Sequence, residues 1–269
     1  MILAFLNHLE HERHNTIRSR NARLAAIRSF LHFAALQEPA ALPTIQRVIA
    51  IPMKRFDKPM LGFLSRTEMQ AILDAPDSTT WCGQGDRVMF ATFYNTGGRV
   101  SEITGLKVAD VILERNATVR IHGKGRKERC VPLWRTTAKE IRKWLARIDS
   151  RPDQPLFPGR SGPRMTRPAV MARLQLAVRG AATVCPQLAK RRISPHTIRH
   201  GTAMHMLQSG VDITVIALWL GHENPATTHM YVEADLAMKE RALNAVQSPR
   251  LKQKRYQPTD RVLHFLETL

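Results

Sequence analysis

The chain has 269 residues, 43% of them hydrophobic and 23% charged, which excludes an intrinsically disordered chain and a collagen-like repeat. Lys and Arg number 41 against 22 Asp and Glu, so the formal net charge is +19. This excess predicts a polyanionic partner: DNA, RNA or an anionic membrane surface. The membrane interpretation is disfavoured, because no apolar run approaches the ~18–20 residues that a spanning helix needs.

Two features of the sequence bear on secretion, the N-terminus and the cysteine content. The N-terminus lacks a basic start and a small-residue cleavage site, so it predicts no signal peptide. The three cysteines are widely spaced, which predicts neither a disulfide framework nor a paired-cysteine metal site. Both observations indicate a protein of a reducing cytosol. The three cysteines are Cys82, Cys130 and Cys185.

Residues 1–50 are predicted to form a small helical domain. Apolar residues recur at i, i+3, i+4 and i+7 from Ile2 to Leu9 and again from Ile27 to Ala34, which predicts two amphipathic helices. Asn15 and Thr16 mark the start of the second helix. A short helical piece covers Ile45 to Ile49. Residues 51–63 contain two prolines and no clear periodicity, and are predicted to be a linker.

A second domain is predicted over residues 64–247. Ser65 and Glu68 have the spacing of a capping box, and the next apolar helix runs from about Asp86 to a stop at Gly97 and Gly98. The period then changes from helical to alternating, which predicts a small antiparallel sheet. The predicted strands are Val108–Leu113, Ala117–His122 and Glu128–Leu133.

Helical patterning returns in the rest of the second domain. It covers 136–148 and 166–182, and Ser194 followed by Pro195 predicts the start of a helix that ends near Gly210. Asp212 caps the next helix, which stops at Gly221. Two more helices are predicted, one after Pro225 and one over 235–246, followed by a basic tail over 248–269. The predicted fold class is therefore mainly α with a small antiparallel β-sheet (α+β).

The sequence predicts no metal site and no nucleotide cofactor. His196 and His200 have the spacing of a zinc-binding helix, but position 197 is Thr, so the general base of such a site is missing. Gly123, Lys124 and Gly125 lack the hydroxyl residue and the upstream glycine of a phosphate-binding loop.

Several cations and one phenol stand at predicted helix ends or in tight turns. Taken singly, each favours a structural role. Together they describe a pocket for a phosphodiester, because arginines and histidines donate hydrogen bonds to nonbridging oxygens. A tyrosine supplies a nucleophile and a lysine on a hairpin supplies a proton for the leaving oxygen. These residues are Arg99, Lys124, His196, Arg199, His200, His222 and Tyr231.

The same segments resemble the tyrosine recombinases, or phage integrase family. The resemblance covers about 65–246 and comprises six catalytic positions in five ordered motifs: an Arg after a Thr-Gly turn followed by Ser-Glu, a hairpin Lys, His-x-x-Arg-His, a Gly-His and a Tyr nine residues later. They lie in TGGRVSEITGLKVADV (96–111), HGKGRKERCVPL (122–133), SPHTIRHGTAMHMLQSGVDITVIALWLGH (194–222) and ENPATTHMYVEAD (223–235).

The resemblance implies a role for each residue. Tyr231 would be the nucleophile that forms a 3′-phosphotyrosine link and frees a 5′-hydroxyl. Arg99, Arg199 and His222 would hold the scissile phosphate, Lys124 would be the general acid, and His196 would assist proton transfer from the tyrosine. Glu102 and His200 would orient the arginines. The chemistry would need neither metal nor ATP, because the phosphotyrosine retains the bond energy used in rejoining.

The resemblance also implies the partners. They are a double-stranded DNA recombination site and further copies of the chain in a tetrameric synapse, in a prokaryotic cytoplasm at the nucleoid. Residues 1–50 would be a partial helical core-binding domain, shorter than in the family because the chain is truncated or its start codon is misplaced, and 64–247 the catalytic domain. The predicted DNA contacts are Arg126, Lys127 and Arg129 in the hairpin and Arg18, Arg20 and Arg23 in the first basic helix region.

One departure and three alternatives accompany the resemblance. Gly98 stands where the family usually has an apolar residue, which predicts a looser turn before Arg99 and reduced activity. The alternatives are a type IB topoisomerase-like enzyme, a truncated non-catalytic DNA-binding remnant and an RNA-binding module. Relaxation of supercoils without strand exchange would favour the topoisomerase, and binding without a covalent complex would favour the remnant.

Overall fold

The computed structural model describes residues 1–56, 62–123, 125, 127–160 and 162–221. The chain divides into two compact units, residues 1–60 and 61–269, which are described separately. The two helices predicted beyond Pro225 and the basic tail lie outside the described residues. Among the residues described, no helix is both long and apolar enough to span a membrane.

The first unit contains three helices around a very small core. They are α1 (Ile2–His11), α2 (Ile17–Gln37) and α3 (Leu42–Ile49). The predicted start of α2 is confirmed, since the Thr16 Oγ1 accepts a hydrogen bond from the Ser19 amide at 3.2 Å. The fully buried apolar side chains are Leu6, Leu24 and Ile45. The predicted apolar face of α2 is only partly covered, because Phe30 is 65% exposed.

Polar contacts tie residues 51–56 to this first unit. The Asn21 side-chain amide donates to the Lys54 carbonyl at 2.8 Å, and its oxygen accepts from the Lys54 amide at 3.1 Å. The Lys54 ammonium in turn donates to the Glu10 carboxylate at 2.7 Å. The beginning of the predicted linker therefore packs on α2.

Three helices of the second unit begin at the caps that the sequence predicts, Ser65, Ser194 and Asp212. The capping box of α4 (Arg66–Asp74) is confirmed, with Ser65 Oγ accepting from the Glu68 amide at 3.1 Å and the Ser65 amide donating to Glu68 at 2.8 Å. The following helix, α5 (Trp81–Thr96), begins earlier than predicted, because Thr80 caps it by accepting from the Gly83 amide. The others are α6 (Val100–Thr104), α7 (Arg135–Leu145), α8 (Arg167–Ala181), α9 (Pro195–Gln208) and α10 (Ile213–Leu220).

The sheet has three antiparallel strands in the order β1-β2-β3. The prediction of a small antiparallel sheet is therefore confirmed. They are β1 (Val111–Ile112), β2 (Thr118–His122) and β3 (Glu128–Pro132), with Val119 opposite Val131. The prediction of a first strand from Val108 was wrong, because residues 108–110 form a 3-10 turn. The Lys107 amide donates to the Asp110 carboxylate at 2.8 Å, and the Val108 amide donates to the Gln154 carbonyl at 2.9 Å. The fold is mainly helical with a small antiparallel sheet.

Two apolar clusters position the elements that carry the predicted site. In the first, Phe90 and Phe93 of α5 are buried against side chains of α4, α7, α8 and the sheet. In the second, Met204 and Leu207 of α9 pack with Ile216 and Leu220 of α10. The C-terminal end of α5, the N-terminal half of α9 and the end of α10 therefore have fixed positions in the second unit.

Candidate active site

The turn before Arg99 is tightly packed. Gly97 ends α5 in the left-handed conformation at φ 60°, and a Cβ there would lie 2.3 Å from the Leu220 Cδ2. Gly98 is buried, and its amide donates to the Thr96 Oγ1 at 3.1 Å. A Cβ at Gly98 would lie 2.5 Å from the Ile103 Cδ1. The turn is therefore packed and hydrogen-bonded, which argues against a loose turn at Gly98; the reduced activity stays a prediction.

Glu102 is the buried anion that holds Arg99. One of its oxygens accepts from the Arg99 amide at 2.9 Å and the other from the Arg99 guanidinium at 2.8 Å. A third donor, Arg129, reaches the carboxylate at 2.7 Å. Burial opposes ionisation, but the hydrogen bonds from Arg129 and Arg99 outweigh it and lower the pKa of Glu102 from 4.5 to about 2. Glu102 is therefore ionised at neutral pH and orients Arg99, whose side chain stays 45% exposed.

Arg129 lies inside the site and not on the exposed face of the hairpin. Its side chain is only 14% exposed. Besides its ion pair with Glu102, its Nε donates to the Trp219 carbonyl at 3.0 Å. These contacts disfavour the prediction that Arg129 binds DNA phosphates, because two of its guanidinium nitrogens donate to groups within the protein. Lys127, two residues earlier, is exposed as a DNA contact requires.

Arg199 joins the ends of two helices. It is 3% exposed, and its two terminal nitrogens donate to the Gly97 carbonyl at 2.6 Å and to the Leu220 carbonyl at 2.9 Å. These carbonyls belong to the C-terminal ends of α5 and α10, where the helix dipole concentrates negative charge. The guanidinium is therefore fixed beside the turn that carries Arg99.

His196 and His200 lie one helical turn apart on α9, with ring centroids 4.2 Å apart. Burial, and then the charges of Arg199 and Arg99, lower the pKa of His196 below its ordinary 6.5. Burial, with the charges of His196 and Arg199, lowers the pKa of His200 to about 4. Both rings are therefore neutral at physiological pH, and a neutral His196 is able to accept a proton.

A cavity of about 910 Å³ opens over these residues. Arg99, His196 and Arg199 line it, together with two cations that the sequence analysis missed, Arg164 and Arg167. Their signal was the basic run just before α8, where Thr166 caps the helix. Four arginines around one cavity give it a positive potential, which favours an anion there. Within the described ranges, no three His, Cys, Asp or Glu side chains converge as metal ligands would.

The hairpin that carries Lys124 is anchored at its base by His122. The two ring nitrogens of His122 lie 2.8 Å from an Asp110 oxygen and 2.9 Å from a Glu128 oxygen. The hydrogen bond with Asp110, helped by the charge of Glu128, raises the pKa of His122 above 6.5. Lys124 and Arg126 lie outside the described residues, as do His222 and Tyr231. Their predicted roles stay predictions.

The basic region of the first unit divides into exposed and buried cations. Arg18 and Arg23 are exposed on α2. Arg20 is buried, with its Nε 3.5 Å from a Glu10 oxygen. The prediction that Arg20 contacts DNA was wrong, because its side chain is 4% exposed and faces a carboxylate of its own unit.

Comparison with known proteins bears on the whole chain. The sequence pattern of the phage integrase family matches residues 62–238. The chain is 44% identical, over its full length and 81% of the relative, to y4rC of Sinorhizobium fredii, a proposed integrase/recombinase. It is 34% identical to the tyrosine recombinase XerD of Pseudomonas putida, over 84% of this chain and 74% of that protein.

Solved structures share the fold. The Tn1549 transposon integrase in complex with circular intermediate DNA superposes with a TM-score of 0.69 at 15% identity, over 89% of this chain and 82% of that one. The XerH site-specific recombinase bound to palindromic difH DNA superposes with a TM-score of 0.66 at 19% identity, over 90% and 71%. At these identities the likeness is one of fold.

Proposed function

Because this chain belongs to the phage integrase family, we propose that it is a site-specific recombinase that cleaves and rejoins DNA strands through a 3′-phosphotyrosine intermediate. The observation that carries the proposal is the convergence of Arg99, His196 and Arg199 on one cavity. Two fixed guanidinium groups supply the positive charge that a pentavalent phosphate transition state needs. Their positions are set before DNA binds, since Glu102 and the helix-end carbonyls already hold them.

Each predicted site residue has one role in the cleavage reaction. The Tyr231 oxygen attacks the scissile phosphorus, and the bond from phosphorus to the 5′ oxygen breaks. The tyrosine proton passes to the neutral His196, and Lys124 donates a proton to the leaving oxygen. Arg99, Arg199 and His222 hold the nonbridging oxygens. Attack by the 5′-hydroxyl of another strand reverses these steps, so rejoining requires neither a metal nor ATP.

The proposed recombinase function also implies the partners of this chain. Double-stranded DNA occupies the cavity, and the exposed Arg18, Arg23 and Lys127, with Arg164 and Arg167 at the cavity, contact phosphates. Exchange between two duplexes requires four cleavage events, so four copies assemble on two sites. A chain that acts on DNA, with bacterial relatives, would work at the nucleoid in the cytoplasm.

The test uses a nicked suicide substrate that traps the covalent complex. Tyr231→Phe keeps DNA binding and loses the SDS-resistant adduct, because the phenyl ring has no attacking oxygen. Tyr256→Phe is the matched control and keeps the adduct. An adduct in the Tyr231→Phe variant would refute the assignment, and wild-type binding without any adduct would identify the non-catalytic remnant.

A second substrate tests the general acid. A 5′-phosphorothiolate at the scissile bond provides a leaving sulfur that needs little protonation. Lys124→Ala cleaves this substrate nearly as fast as wild type, whereas Arg199→Ala does not recover. Equal losses for the two variants on the sulfur substrate would remove Lys124 from the acid role. Relaxation of supercoils without strand exchange in the same preparations would indicate the topoisomerase alternative.

A further inference from the structure

Arg129 connects its own strand to two other parts of the site, α6 and the end of α10. It belongs to β3, and its guanidinium donates at 2.7 Å to Glu102 of α6 and at 3.0 Å to the Trp219 carbonyl at the end of α10. It also packs on Gly221, where a Cβ would lie 2.9 Å from the Arg129 Nη1. One largely buried side chain, 14% exposed, thus links the sheet, the helix that follows Arg99 and the end of α10.

The elements that Arg129 links are those from which the reacting groups extend. Glu102 holds both the backbone and the guanidinium of Arg99. Gly221 immediately precedes His222 in the chain, and β3 is the return strand of the hairpin that carries Lys124. Gly123 immediately precedes that lysine and lies close to the Glu102–Arg129 ion pair. A Cβ at Gly123 would be 3.9 Å from a Glu102 oxygen and 4.0 Å from the Arg129 Nη1.

We propose that Arg129 is a positioning residue for strand cleavage: it bridges Glu102 and the end of α10, and thereby fixes Arg99 relative to the chain segments that lead to His222 and Lys124. The inference rests on the proposed recombinase function. It assigns Arg129 an action through other residues, with no contact to DNA.

The charges around Glu102 supply a readout that a merely structural role would not give. Within the described residues, the charged groups that contact Glu102 are Arg99 from the start of its own helix and Arg129 from β3. Removal of Arg129 leaves a carboxylate that is 3% exposed with one cationic partner. Burial then raises the pKa of Glu102, so the carboxylate takes up a proton at a higher pH and releases Arg99.

The experiment compares Arg129→Met, Arg129→Lys and the exposed neighbour Lys127→Ala. For each variant, DNA affinity is measured across a salt titration, and the rate of adduct formation is measured at saturating protein from acid to neutral pH. Arg129→Met is expected to keep the affinity and salt slope of wild type and to lose on the order of 10²-fold in rate, the cost of a displaced reacting group. The loss is expected to grow toward acid pH. Arg129→Lys keeps a charge beside Glu102 and is expected to recover the pH profile and part of the rate.

A Glu102→Gln background completes the test, because glutamine does not titrate and the added acid sensitivity of Arg129→Met disappears in it. Lys127→Ala, which removes a proposed phosphate contact, is expected to lower the DNA affinity. Reduced affinity of Arg129→Met with an unchanged saturating rate would make Arg129 a phosphate contact too and overturn the proposal. A loss of equal size at every pH, or one that Arg129→Lys does not relieve, would overturn it too. Absence of the adduct in wild type would refute the recombinase function itself, whereas a wild-type adduct with an unimpaired Arg129→Met would refute the role of Arg129 alone.

Discussion

Acidification is expected to destabilise this protein through His200. The His200 ring is 7% exposed on α9 and lies against the ring of His196. Burial and the neighbouring charges lower its pKa to about 4 in the folded chain, against 6.5 for the ordinary group. Between those two values the unfolded chain binds a proton that the folded chain does not. Stability from His200 is therefore present above pH 6.5 and lost as the pH falls toward 4.

The magnitude follows from the two pKa values. A difference of 2.5 units at 1.36 kcal/mol each corresponds to about 3 kcal/mol, of which about 2 kcal/mol falls between pH 7 and pH 5. Glu102 does not contribute in that interval, because its pKa is lowered from 4.5 to about 2 and its stabilisation is lost only below 4.5. His196 and His205 have lowered pKa values and act in the same direction as His200, whereas His122 acts in the opposite one.

A variant isolates the contribution of His200 from the other histidines. The free energy of unfolding of the second unit is measured in urea at pH 7 and pH 5 for wild type and His200→Gln. The wild-type loss exceeds that of the variant by about 2 kcal/mol, because only wild type must protonate the buried ring on unfolding. NMR titration of the ring protons, assigned with the same variant, locates the pKa directly. Equal losses in the two proteins, or a His200 that titrates near 6.5, would refute the argument from burial.

Two further predictions concern glycine and arginine positions. Gly221→Ala is expected to lower the melting temperature more than Gly210→Ala, because both residues have positive φ but only the Cβ at 221 would meet another side chain, that of Arg129. Equal losses would show that backbone strain alone matters. Replacing Arg18 and Arg23 together by Gln is expected to reduce the slope of log K against log salt by about 2, since each phosphate contact contributes roughly 0.9. Arg20→Gln is expected to lower stability and leave that slope unchanged, and a reduced slope would return Arg20 to the DNA-binding surface.

The sequence by itself determined the features that depend on neighbours a few residues apart. Ser65 and Ser194 cap helices through the amide three residues later, and Gly97 and Gly221 end helices because glycine adopts positive φ without strain. The family resemblance likewise rests on short ordered motifs. Fold class and most helix boundaries were therefore predictable, as was the convergence of Arg99, His196 and Arg199 on one cavity.

Only the tertiary structure decided which cations face inward. In the sequence, Arg129 and Arg20 look like their exposed neighbours Lys127 and Arg18, because nothing local marks their partners. The carboxylate that binds Arg129 lies 27 residues away, and the carbonyl that binds it lies 90 residues away. The turn at 108–110 likewise depends on Gln154. Its carbonyl accepts a hydrogen bond from the Val108 amide, which a strand would have paired with a neighbouring strand. Burial and pairing of a charge are set by groups that meet only when the chain folds, so a local pattern does not contain them.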